Sequence, residues 1–259
     1  MKKYVVITGA SQGLGKAFAH VCARRGYHLI LISLPNESIE ELAELLIINY
    51  NVEVLFYETD LTKNENIEQL VIFLKNYEIN ILINNAGLGG TKKFNEVTVK
   101  YIDNILLLNM RSLVVLTHQL LPILKQQKET YILNISSLAA FSPMPFKTIY
   151  PASKSFVYSF SRGLNAELQN TNVHVAVAHP GGMATNKEVS ARINKHKGLI
   201  KRSILTPEQT AEICLRKLLQ KVPVIIPGKV NRFSSVLQRI LPVNMQLNMM
   251  KKKLQKELE

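Results

Sequence analysis

The stretch Tyr4-Val-Val-Ile-Thr-Gly-Ala-Ser-Gln-Gly-Leu-Gly15 decides the fold. It begins as a short apolar strand and runs directly into a glycine-rich turn, after which apolar residues recur at helical spacing. Glycines here let the backbone approach a pyrophosphate, and the helix N-terminus adds amide donors and a partial positive charge. The stretch therefore predicts a nucleotide site at the first strand-to-helix turn of an α/β protein. Its glycine spacing differs from Gly-x-Gly-x-x-Gly, so a turn that binds no ligand stays an alternative.

The segment Tyr150-Pro-Ala-Ser-Lys154 places a phenol and an ammonium on the same side of a predicted helix. A free tyrosine has a pKa of about 10, and a nearby lysine cation stabilises the phenolate. We therefore expect Lys154 to lower the pKa of Tyr150, and the pair to deliver a proton to a carbonyl group. Pro151 falls in the first helical turn, where its missing N–H is harmless. The alternative is an ordinary helix surface, because this spacing also occurs by chance.

Three further apolar strands end in small or polar residues. Each strand end alone indicates only a turn. Their order along the chain, together with the first turn and the Tyr-Lys pair, indicates that they belong to one constellation. The three segments are Ile81-Leu-Ile-Asn-Asn-Ala-Gly87, Leu133-Asn-Ile-Ser-Ser137 and His179-Pro-Gly-Gly-Met-Ala-Thr185.

Taken together, these residues resemble the short-chain dehydrogenase/reductase family, in its short soluble branch, from Val5 to about Ile226. The resemblance implies a Rossmann-type doubly wound parallel sheet with helices on both faces. The alternation of strands and helices along the chain favours the same α/β architecture. We expect a dinucleotide-binding and catalytic domain over residues 1–228, with a substrate lid at about 184–205. Residues 229–259 would form a basic amphipathic C-terminal extension.

The resemblance also implies a catalytic group, made of Asn109, Ser137, Tyr150 and Lys154. Tyr150 would donate a proton to the substrate carbonyl oxygen while the cofactor gives hydride to its carbon. Ser137 would polarise the same oxygen, and Ser136 is the second choice for this role. Lys154 would also bind the nicotinamide ribose, and Asn109 would hold a water that links Lys154 to solvent.

Cofactor contacts are implied at the ends of most strands. The glycine turn would hold the pyrophosphate, Asp60 and Leu61 would contact the adenine, and the segment from Pro180 to Thr185 would close over the nicotinamide. The full set of implied contacts is Gly9, Ser11, Gly13, Leu14, Gly15, Ser33, Asp60, Leu61, Asn85, Ala86, Gly87, Tyr150, Lys154, Pro180, Gly181 and Thr185.

Ser33 occupies the end of the second strand, where an NAD-specific site would carry a carboxylate for the ribose 2′-hydroxyl. The next acid is Glu37, beyond Pro35. A missing carboxylate removes repulsion toward a 2′-phosphate, so the sequence predicts NADP(H) ahead of NAD(H). The arginine that usually grips the phosphate is missing too, with Leu34 beside Ser33 and Gln12 in the glycine turn, so the predicted preference is narrow.

Composition favours one soluble enzyme domain of 259 residues. Cys22 and Cys214 fall within helical apolar patterns and predict reduced core thiols. The six histidines show no ligand spacing, so no metal site is predicted. Met1-Lys-Lys3 leads directly into the first strand and leaves no room for a signal peptide, so we expect a cytoplasmic location.

Two helix starts are marked by capping boxes. They are Thr62 with Glu65, and Thr206 with Gln209. In such a box the threonine side chain accepts a hydrogen bond from the amide three residues on. We expect helices to begin directly after both threonines.

The net charge of +13 would suit nucleic acid, an anionic membrane or acidic ligands. No nucleic-acid-binding motif accompanies it, so no nucleic-acid partner is predicted. Near the C-terminus a basic segment carries apolar residues on one helical face, and Pro242 should end that helix. The face would pack on the protein body, cover the substrate entrance, contact another subunit or lie peripherally on a membrane surface. Its residues are Phe233, Val236, Leu237, Ile240 and Leu241.

The expected substrate is a lipophilic ketone, because Met144, Phe146 and Met183 lie near the expected entrance and the lid is basic. Candidates are a 3-oxoacyl thioester, a long-chain keto-sphingoid base and a steroid-like ketone. A homodimer or homotetramer is expected through helices around Ile102 to Leu124 and Phe156 to Leu168. A catalytically silent NADP(H)-binding sensor and a membrane-surface regulatory protein stay open as alternatives, although the Asn-Ser-Tyr-Lys set argues against both.

Overall fold

The computed structural model describes residues 2–183 and 204–255, which form an α/β fold around one seven-stranded sheet. The strands are β1 (Lys3–Thr8), β2 (His28–Ser33), β3 (Val54–Glu58), β4 (Glu78–Asn84), β5 (Thr130–Ile135), β6 (Val173–Ala178) and β7 (Val224–Ile225). Neighbouring strands are all parallel, in the order β3-β2-β1-β4-β5-β6-β7. The direction of winding changes between β1 and β4, and open α/β sheets bind ligands in the crevice beyond the strand ends at such a point.

Helices cover both faces of the sheet, so the predicted doubly wound architecture is confirmed. A π-helical turn at Leu107–Ser112 joins α4 to α5, and short 3-10 helices lie at Phe94–Glu96 and Leu138–Phe141. The chain also breaks at Pro242 as predicted, between α8 and α9. The helices are α1 (Gly13–Arg24), α2 (Ile39–Tyr50), α3 (Asn64–Leu74), α4 (Val99–Leu106), α5 (Leu113–Gln126), α6 (Ile149–Glu167), α7 (Pro207–Leu219), α8 (Lys229–Ile240) and α9 (Val243–Gln255).

Two apolar cores lie on the two faces of the sheet. Along β1, Val5 and Ile7 enter the first core, which α1, α2 and α7 cover. Tyr4 and Val6 enter the second core, which α3 and α5 cover. Successive side chains of a strand point to opposite faces, so a strand covered on both sides needs a continuous apolar run. This burial explains why the sequence shows such runs.

Both cysteines lie in the first core, as predicted. Cys22 and Cys214 are buried and free. Burial raises the pKa of Cys22 to about 12 and also raises the pKa of Cys214. Neutral, buried thiols are poor nucleophiles, so neither cysteine offers reactive chemistry. Within residues 2–183 and 204–255, no group of three or more His, Cys, Asp or Glu side chains could hold a metal ion.

One of the two predicted capping boxes is present. Thr206 Oγ1 accepts a hydrogen bond from Gln209 N, and Gln209 Oε1 accepts one from Thr206 N, both at 3.1 Å. The other prediction is wrong, because α3 begins only at Asn64. Thr62 Oγ1 donates instead to Asp60 Oδ1 at 2.8 Å. Short polar side chains compete for local hydrogen bonds in this way, and here the loop contact is the one formed.

The helical segment Val99–Gln126, made of α4, the π-helical turn and α5, is long and apolar enough to cross a membrane by length and composition. A buried helix of a soluble core meets the same criteria. Leu116, Leu120 and Leu124 of this segment pack into the second core against the sheet. Its place as a covering helix therefore accounts for part of its apolar character, since 39% of its most apolar window is buried.

Candidate active site

The turn between β1 and α1 is tightly closed. Gly9 and Gly13 have φ values of +64° and +55°, in the left-handed region that glycine enters freely. A Cβ on Gly15 would lie 1.9 Å from Gly9 O, so only glycine fits there. The turn leads into the N-terminus of α1, whose free amides and partial positive charge suit a pyrophosphate. These residues therefore fit a dinucleotide cofactor.

Thr8 and Asn85 fasten this turn to the end of β4. Thr8 Oγ1 accepts hydrogen bonds from the backbone amides of Asn85 and Ala86, both at 3.0 Å. Asn85 Nδ2 donates to the carbonyl oxygens of Thr8 and Gly9, also at 3.0 Å. The sequence reasoning does not single out Thr8, although a hydroxyl just before the glycine turn is a usable signal. The side chain of Asn85, a predicted cofactor contact, braces the turn.

Ser137, Tyr150 and Lys154 meet beyond the end of β5. α6 starts one residue before Tyr150, so Tyr150 and Lys154 are about one helical turn apart, and Pro151 lies in the first turn as predicted. The Ser137 side chain is close enough to the Tyr150 phenol to lower its pKa. Lys154 Nζ donates to Ile135 O at 2.9 Å and lies 5.8 Å from the centroid of the Tyr150 ring. The structure thus brings three of the four predicted catalytic residues into one cluster.

Burial shifts the pKa of both Tyr150 and Lys154. It raises the pKa of Tyr150, and the Ser137 side chain acts in the opposite direction without cancelling the rise. It lowers the pKa of Lys154 to about 8, because this residue is only 4% exposed. The expectation that Lys154 sets a lowered pKa for Tyr150 is therefore wrong: burial of the phenol is the larger effect. Ser137 is the neighbour that favours the phenolate.

Asn109 lies in the π-helical turn and connects separate segments. Its Oδ1 accepts from Leu88 N at 2.7 Å, and its Nδ2 donates to Leu88 O at 2.8 Å and to Ser153 Oγ at 3.0 Å. A Cβ on Gly87 would lie 3.2 Å from both Asn109 Oδ1 and Lys154 Nζ, so these two groups flank Gly87. π-Helical turns frequently occur at functional sites. The fourth predicted catalytic residue therefore borders the cluster, and nothing in the sequence pattern indicates the π-helical turn that places it.

Ser136 and His179 support the cluster from within the protein. Ser136 Oγ donates to Lys154 O at 2.7 Å, which leaves Ser137 as the serine beside the phenol. The buried His179 ring lies between two aromatic rings, with Nδ1 3.0 Å from Ser137 O. Burial lowers the pKa of His179 to about 4, so the ring is neutral at pH 7 and its Nδ1–H donates to this carbonyl oxygen. His179 thus holds the backbone of Ser137.

A carboxylate reaches the glycine turn from the loop after β2. Ser11 Oγ donates to Glu37 Oε2 at 2.5 Å. The loop curls toward the turn through Asn36 and Ser38, whose φ values of 64° and 50° are left-handed. Glu37, the next acid in the sequence after Ser33, therefore lies at the glycine turn. The preference for NADP(H) over NAD(H) stays a prediction.

Three other predicted cofactor residues, at the end of β2 and just after β3, have side chains that contact neighbouring residues of the protein. Ser33 Oγ donates to Leu34 O at 3.0 Å. Asp60 Oδ1 accepts from N and Oγ1 of Thr62, at 3.0 and 2.8 Å. Leu61 is buried in the second core. These side chains shape the protein locally, and their predicted contacts with the cofactor stay predictions.

Four further predicted cofactor residues are Leu14, Pro180, Gly181 and Thr185. Leu14 is buried at the start of α1. Pro180 is buried, and its carbonyl oxygen accepts from Leu138 N at 3.0 Å. Gly181 lies against Asn231 of α8. Thr185 and all but the last two residues of the expected lid at about 184–205 lie outside the residues that the structure describes.

A cleft opens beside Tyr150, between the loop after β4 and the loop before α6. Lys92 N donates to Phe146 O at 2.7 Å and so joins the two loops. Lys92 Nζ lies 4.7 Å from the centroid of the Tyr101 ring. Of the apolar residues expected at the entrance, Phe146 lines this cleft, whereas Met183 packs on the first core. The lining residues are Gly90, Lys92, Phe94, Val97, Tyr101, Ile105, Phe146, Lys147, Thr148, Ile149 and Tyr150.

The parallel sheet, the glycine turn at its switch point and the adjacent Ser-Tyr-Lys cluster define a Rossmann-type dinucleotide-binding protein. The family model for the short chain dehydrogenases matches residues 3–196, and the chain belongs to this family. Its fold is accordingly the NAD(P)(H)-binding fold of an oxidoreductase family.

Individual known proteins show the same relationship. The very-long-chain 3-oxoacyl-CoA reductase of Anas platyrhynchos is 35% identical over 187 residues, which cover 70% of this chain and 60% of the relative. The 17-beta-hydroxysteroid dehydrogenase type 3 of Mus musculus is 30% identical over 249 residues, covering 93% and 81%. A short-chain dehydrogenase from Sphingobium yanoikuyae, solved in complex with NADPH, superposes with a TM-score of 0.80 at 29% identity, covering 90% and 91%. The chain spans only 60% and 58% of the length of two of the 3-oxoacyl-CoA reductases that it matches.

Proposed function

We propose that the chain is an NAD(P)(H)-dependent oxidoreductase that interconverts a lipophilic ketone and its secondary alcohol. The observation that carries this proposal is the cluster of Ser137, Tyr150 and the buried Lys154, at the sheet edge that holds the glycine turn. Titratable groups with perturbed pKa values in such a position are typical of catalytic sites. Family membership, and relatives named as a 3-oxoacyl-CoA reductase and a hydroxysteroid dehydrogenase, support the same reaction.

Tyr150 is the proton donor of the proposed mechanism. Its raised pKa keeps the phenol protonated at neutral pH, and Ser137 binds the same carbonyl oxygen. The cofactor, when bound, supplies the hydride for the carbonyl carbon. As the phenol loses its proton, the Ser137 hydroxyl and the Lys154 cation stabilise the phenolate. Asn109 and Lys154 both lie next to Gly87, and this proximity supports a role for Asn109 in holding a relay water.

The test is the loss of reduced-nicotinamide absorbance when the protein is mixed with ketones. NADPH and NADH are compared in parallel against 3-oxoacyl thioesters, steroid ketones, keto-sphingoid bases and small diketones, with Tyr150→Phe as the control. Turnover that disappears in Tyr150→Phe supports the proposal. Full turnover by Tyr150→Phe contradicts the role of Tyr150, and tight cofactor binding without any turnover favours the sensor alternative.

We infer NADP(H) as the preferred cofactor. Ser33 leaves the end of β2 without a charge, and a structurally similar dehydrogenase was solved with NADPH. Glu37, bonded to Ser11, opposes a 2′-phosphate and keeps the preference small. Direct titration that gives NADH an equal or tighter Kd would overturn this preference.

The residues that line the small cleft beside Tyr150 support a lipophilic substrate that carries an acidic group. Its walls are mainly aromatic and aliphatic, while Lys92 and Lys147 add positive charge. A 3-oxoacyl thioester on an anionic carrier matches both properties, so we rank it ahead of a steroid-like ketone or a keto-sphingoid base. Lys92→Gln should raise KM for such a thioester and leave KM for an uncharged ketone unchanged.

The proposal also includes organisation and location. Residues 1–228 would form the catalytic domain and residues 229–259 the extension. We propose a cytoplasmic homodimer or homotetramer that acts on a small-molecule substrate and not on nucleic acid. Phe156 and Phe160, whose rings stack on α6 at 6.2 Å, support a subunit contact there, since Phe156 is exposed. Light scattering that shows a monomer would remove the oligomer from the proposal.

A further inference from the structure

α8 is attached to the protein by its polar side and turns its apolar side to solvent. Phe233 and Ile240, for example, are 71% and 73% exposed. An amphipathic helix of a globular protein normally buries such a face. No part of the chain within residues 2–183 and 204–255 covers it. The exposed apolar residues, at the three- and four-residue spacing of one helical face, are Val230, Phe233, Val236, Leu237 and Ile240.

Polar contacts fix α8 in this orientation. The Asn231 side chain lies against Gly181, in the turn after β6. The Arg239 guanidinium lies 4.4 Å from the centroid of the Phe141 ring, in the 3-10 helix after β5. Ser235, on the same side of α8, is buried. α8 is therefore held beside the candidate active site, with its direction set by these contacts.

α9 extends the exposed apolar surface. Its buried Gln246 donates from Nε2 to Gln238 O at 2.6 Å and to Leu241 O at 2.7 Å, which ties α9 to the end of α8. Here too a polar side chain holds the helix, together with the buried Leu254, while other apolar side chains face solvent. The exposed apolar side chains of α9 are Val243, Met245 and Met249.

Charge indicates which partner fits this surface. Residues 229–255 contain no aspartate or glutamate, and the whole chain carries a net charge of +13. A second copy of the chain would bring like charges together. An anionic bilayer complements both properties, because apolar side chains enter the acyl boundary and basic ones reach the headgroups. The basic residues of the segment are Lys229, Arg232, Arg239, Lys251, Lys252 and Lys253, of which Arg239 lies over the Phe141 ring and Arg232 donates to Ile226 O.

We propose that the apolar face of α8, continued by α9, docks on an anionic lipid bilayer. Phe233 and Ile240 enter the boundary between headgroups and acyl chains. Because α8 contacts the turns that follow β5 and β6, docking brings the catalytic edge of the sheet close to the membrane surface. The proposal does not depend on the identity of the substrate, and its test needs no turnover.

A single fluorescent reporter tests the depth of α8. The chain contains no tryptophan, so Phe233→Trp introduces one on the proposed face, and Ile48→Trp introduces one on α2, where Ile48 is 81% exposed. The probes are vesicles of equal parts phosphatidylcholine and phosphatidylserine, and vesicles of phosphatidylcholine alone. We expect a blue shift and quenching by brominated acyl chains only for Phe233→Trp with the anionic vesicles. No shift for Phe233→Trp, or the same shift for Ile48→Trp, would overturn the proposal.

Co-sedimentation with the same vesicles gives an independent measurement. We expect the unmodified chain to sediment with anionic vesicles in a salt-sensitive manner. The double variant Phe233→Ser/Ile240→Ser should bind the anionic vesicles at least about tenfold more weakly than the unmodified chain. Ile48→Ser should bind them as tightly as the unmodified chain does. Thermal unfolding checks that all variants fold. If the double variant is unfolded, the fluorescence of Phe233→Trp alone tests the proposal.

Three outcomes would overturn the proposal. In the first, the unmodified chain stays in the supernatant. In the second, it binds phosphatidylcholine vesicles equally well. In the third, light scattering shows a dimer that only the double variant dissociates, without vesicle binding by either form, which would assign the face to a second copy of the chain.

Discussion

Two parts of the candidate site hold their side chains in different ways: the catalytic end, made of Asn109, Ser137, Tyr150 and Lys154, and the adenosine end, the loop after β2 where the adenosine part of the cofactor is predicted to bind. At the catalytic end, buried groups bond to one another, as Asn109 does with Ser153 and Lys154 with Ile135. At the adenosine end, the loop after β2 is largely exposed and reaches the glycine turn through Glu37. The comparison teaches that the chemistry depends on contacts that tolerate little change. We expect cofactor choice to depend on a surface loop that can change at small cost in stability.

The sharpest test of the catalytic end compares its two adjacent serines. Ser137→Ala removes the hydroxyl beside Tyr150, and we expect kcat to fall about 100- to 1000-fold with cofactor Kd unchanged. Ser136→Ala removes the bond to Lys154 O, and we expect a loss of about 1 kcal/mol in unfolding free energy with a far smaller effect on kcat. Steady-state kinetics and denaturant unfolding measure both. An equal fall in kcat for the two variants would contradict the distinction.

Gly15→Ala tests the turn that joins the two ends. The added Cβ would meet the backbone oxygen of Gly9 at 1.9 Å, which no side-chain movement can relieve. We expect a loss of about 1–3 kcal/mol in unfolding free energy and a marked loss of cofactor affinity. Gly163→Ala on α6 is the matched control, because its Cβ would meet nothing within 4 Å. That control should stabilise the chain by up to about 1 kcal/mol, and similar behaviour of the two variants would refute this account of the turn.

The buried His179 should make the catalytic end sensitive to acid. Its pKa falls from 6.5 to about 4 on folding, chiefly through burial. Between these values the unfolded chain binds a proton that the folded chain does not, so stability is lost as the pH falls from 6.5 toward 4. The loss amounts to at most about 3 kcal/mol. Unfolding across this range should show a shallower pH dependence in His179→Gln than in His118→Gln, whose site on α5 is exposed.

The smallest expected effect lies at the adenosine end. Glu37→Gln removes the carboxylate beside Ser11, and we expect the affinity for NADPH to rise about two- to fivefold relative to NADH. Unfolding free energy should change by no more than about 0.5 kcal/mol, because the loop is exposed. Calorimetric titration with both cofactors measures the ratio. If both affinities rise together, Glu37 does not select the cofactor.

Local patterns in the sequence predict the catalytic end better than the adenosine end. The glycine turn and the Tyr150–Lys154 pair each lie within a few consecutive residues. The periodicity of apolar residues alone predicts the strand and helices that carry them. Glu37 was not expected at the glycine turn because Asn36 and Ser38 adopt left-handed conformations. Such conformations are usually predicted from glycine, and neither position carries one. The raised pKa of Tyr150 also depends on burial, which is a tertiary property.

Similar limits apply to helices. Asn109 can be assigned by its place in the chain, but the π-helical turn around it depends on contacts with Leu88 and Ser153 from other segments. The apolar face of α8 can be predicted from spacing, whereas its outward direction depends on which neighbours accept the polar side. Patterns therefore predict which residues share a face, and packing decides where that face points.

The bonds between Thr8 and Asn85 also bear on the order of folding. They join residues 77 positions apart, so the glycine turn is braced only after β4 has docked beside β1. Contacts between such distant residues form late, because a long loop must close first. A growing chain would therefore gain its nucleotide site only when about a third of its residues have been made and have folded together. Cofactor binding during synthesis would then indicate that β4 has paired with β1 at the centre of the sheet.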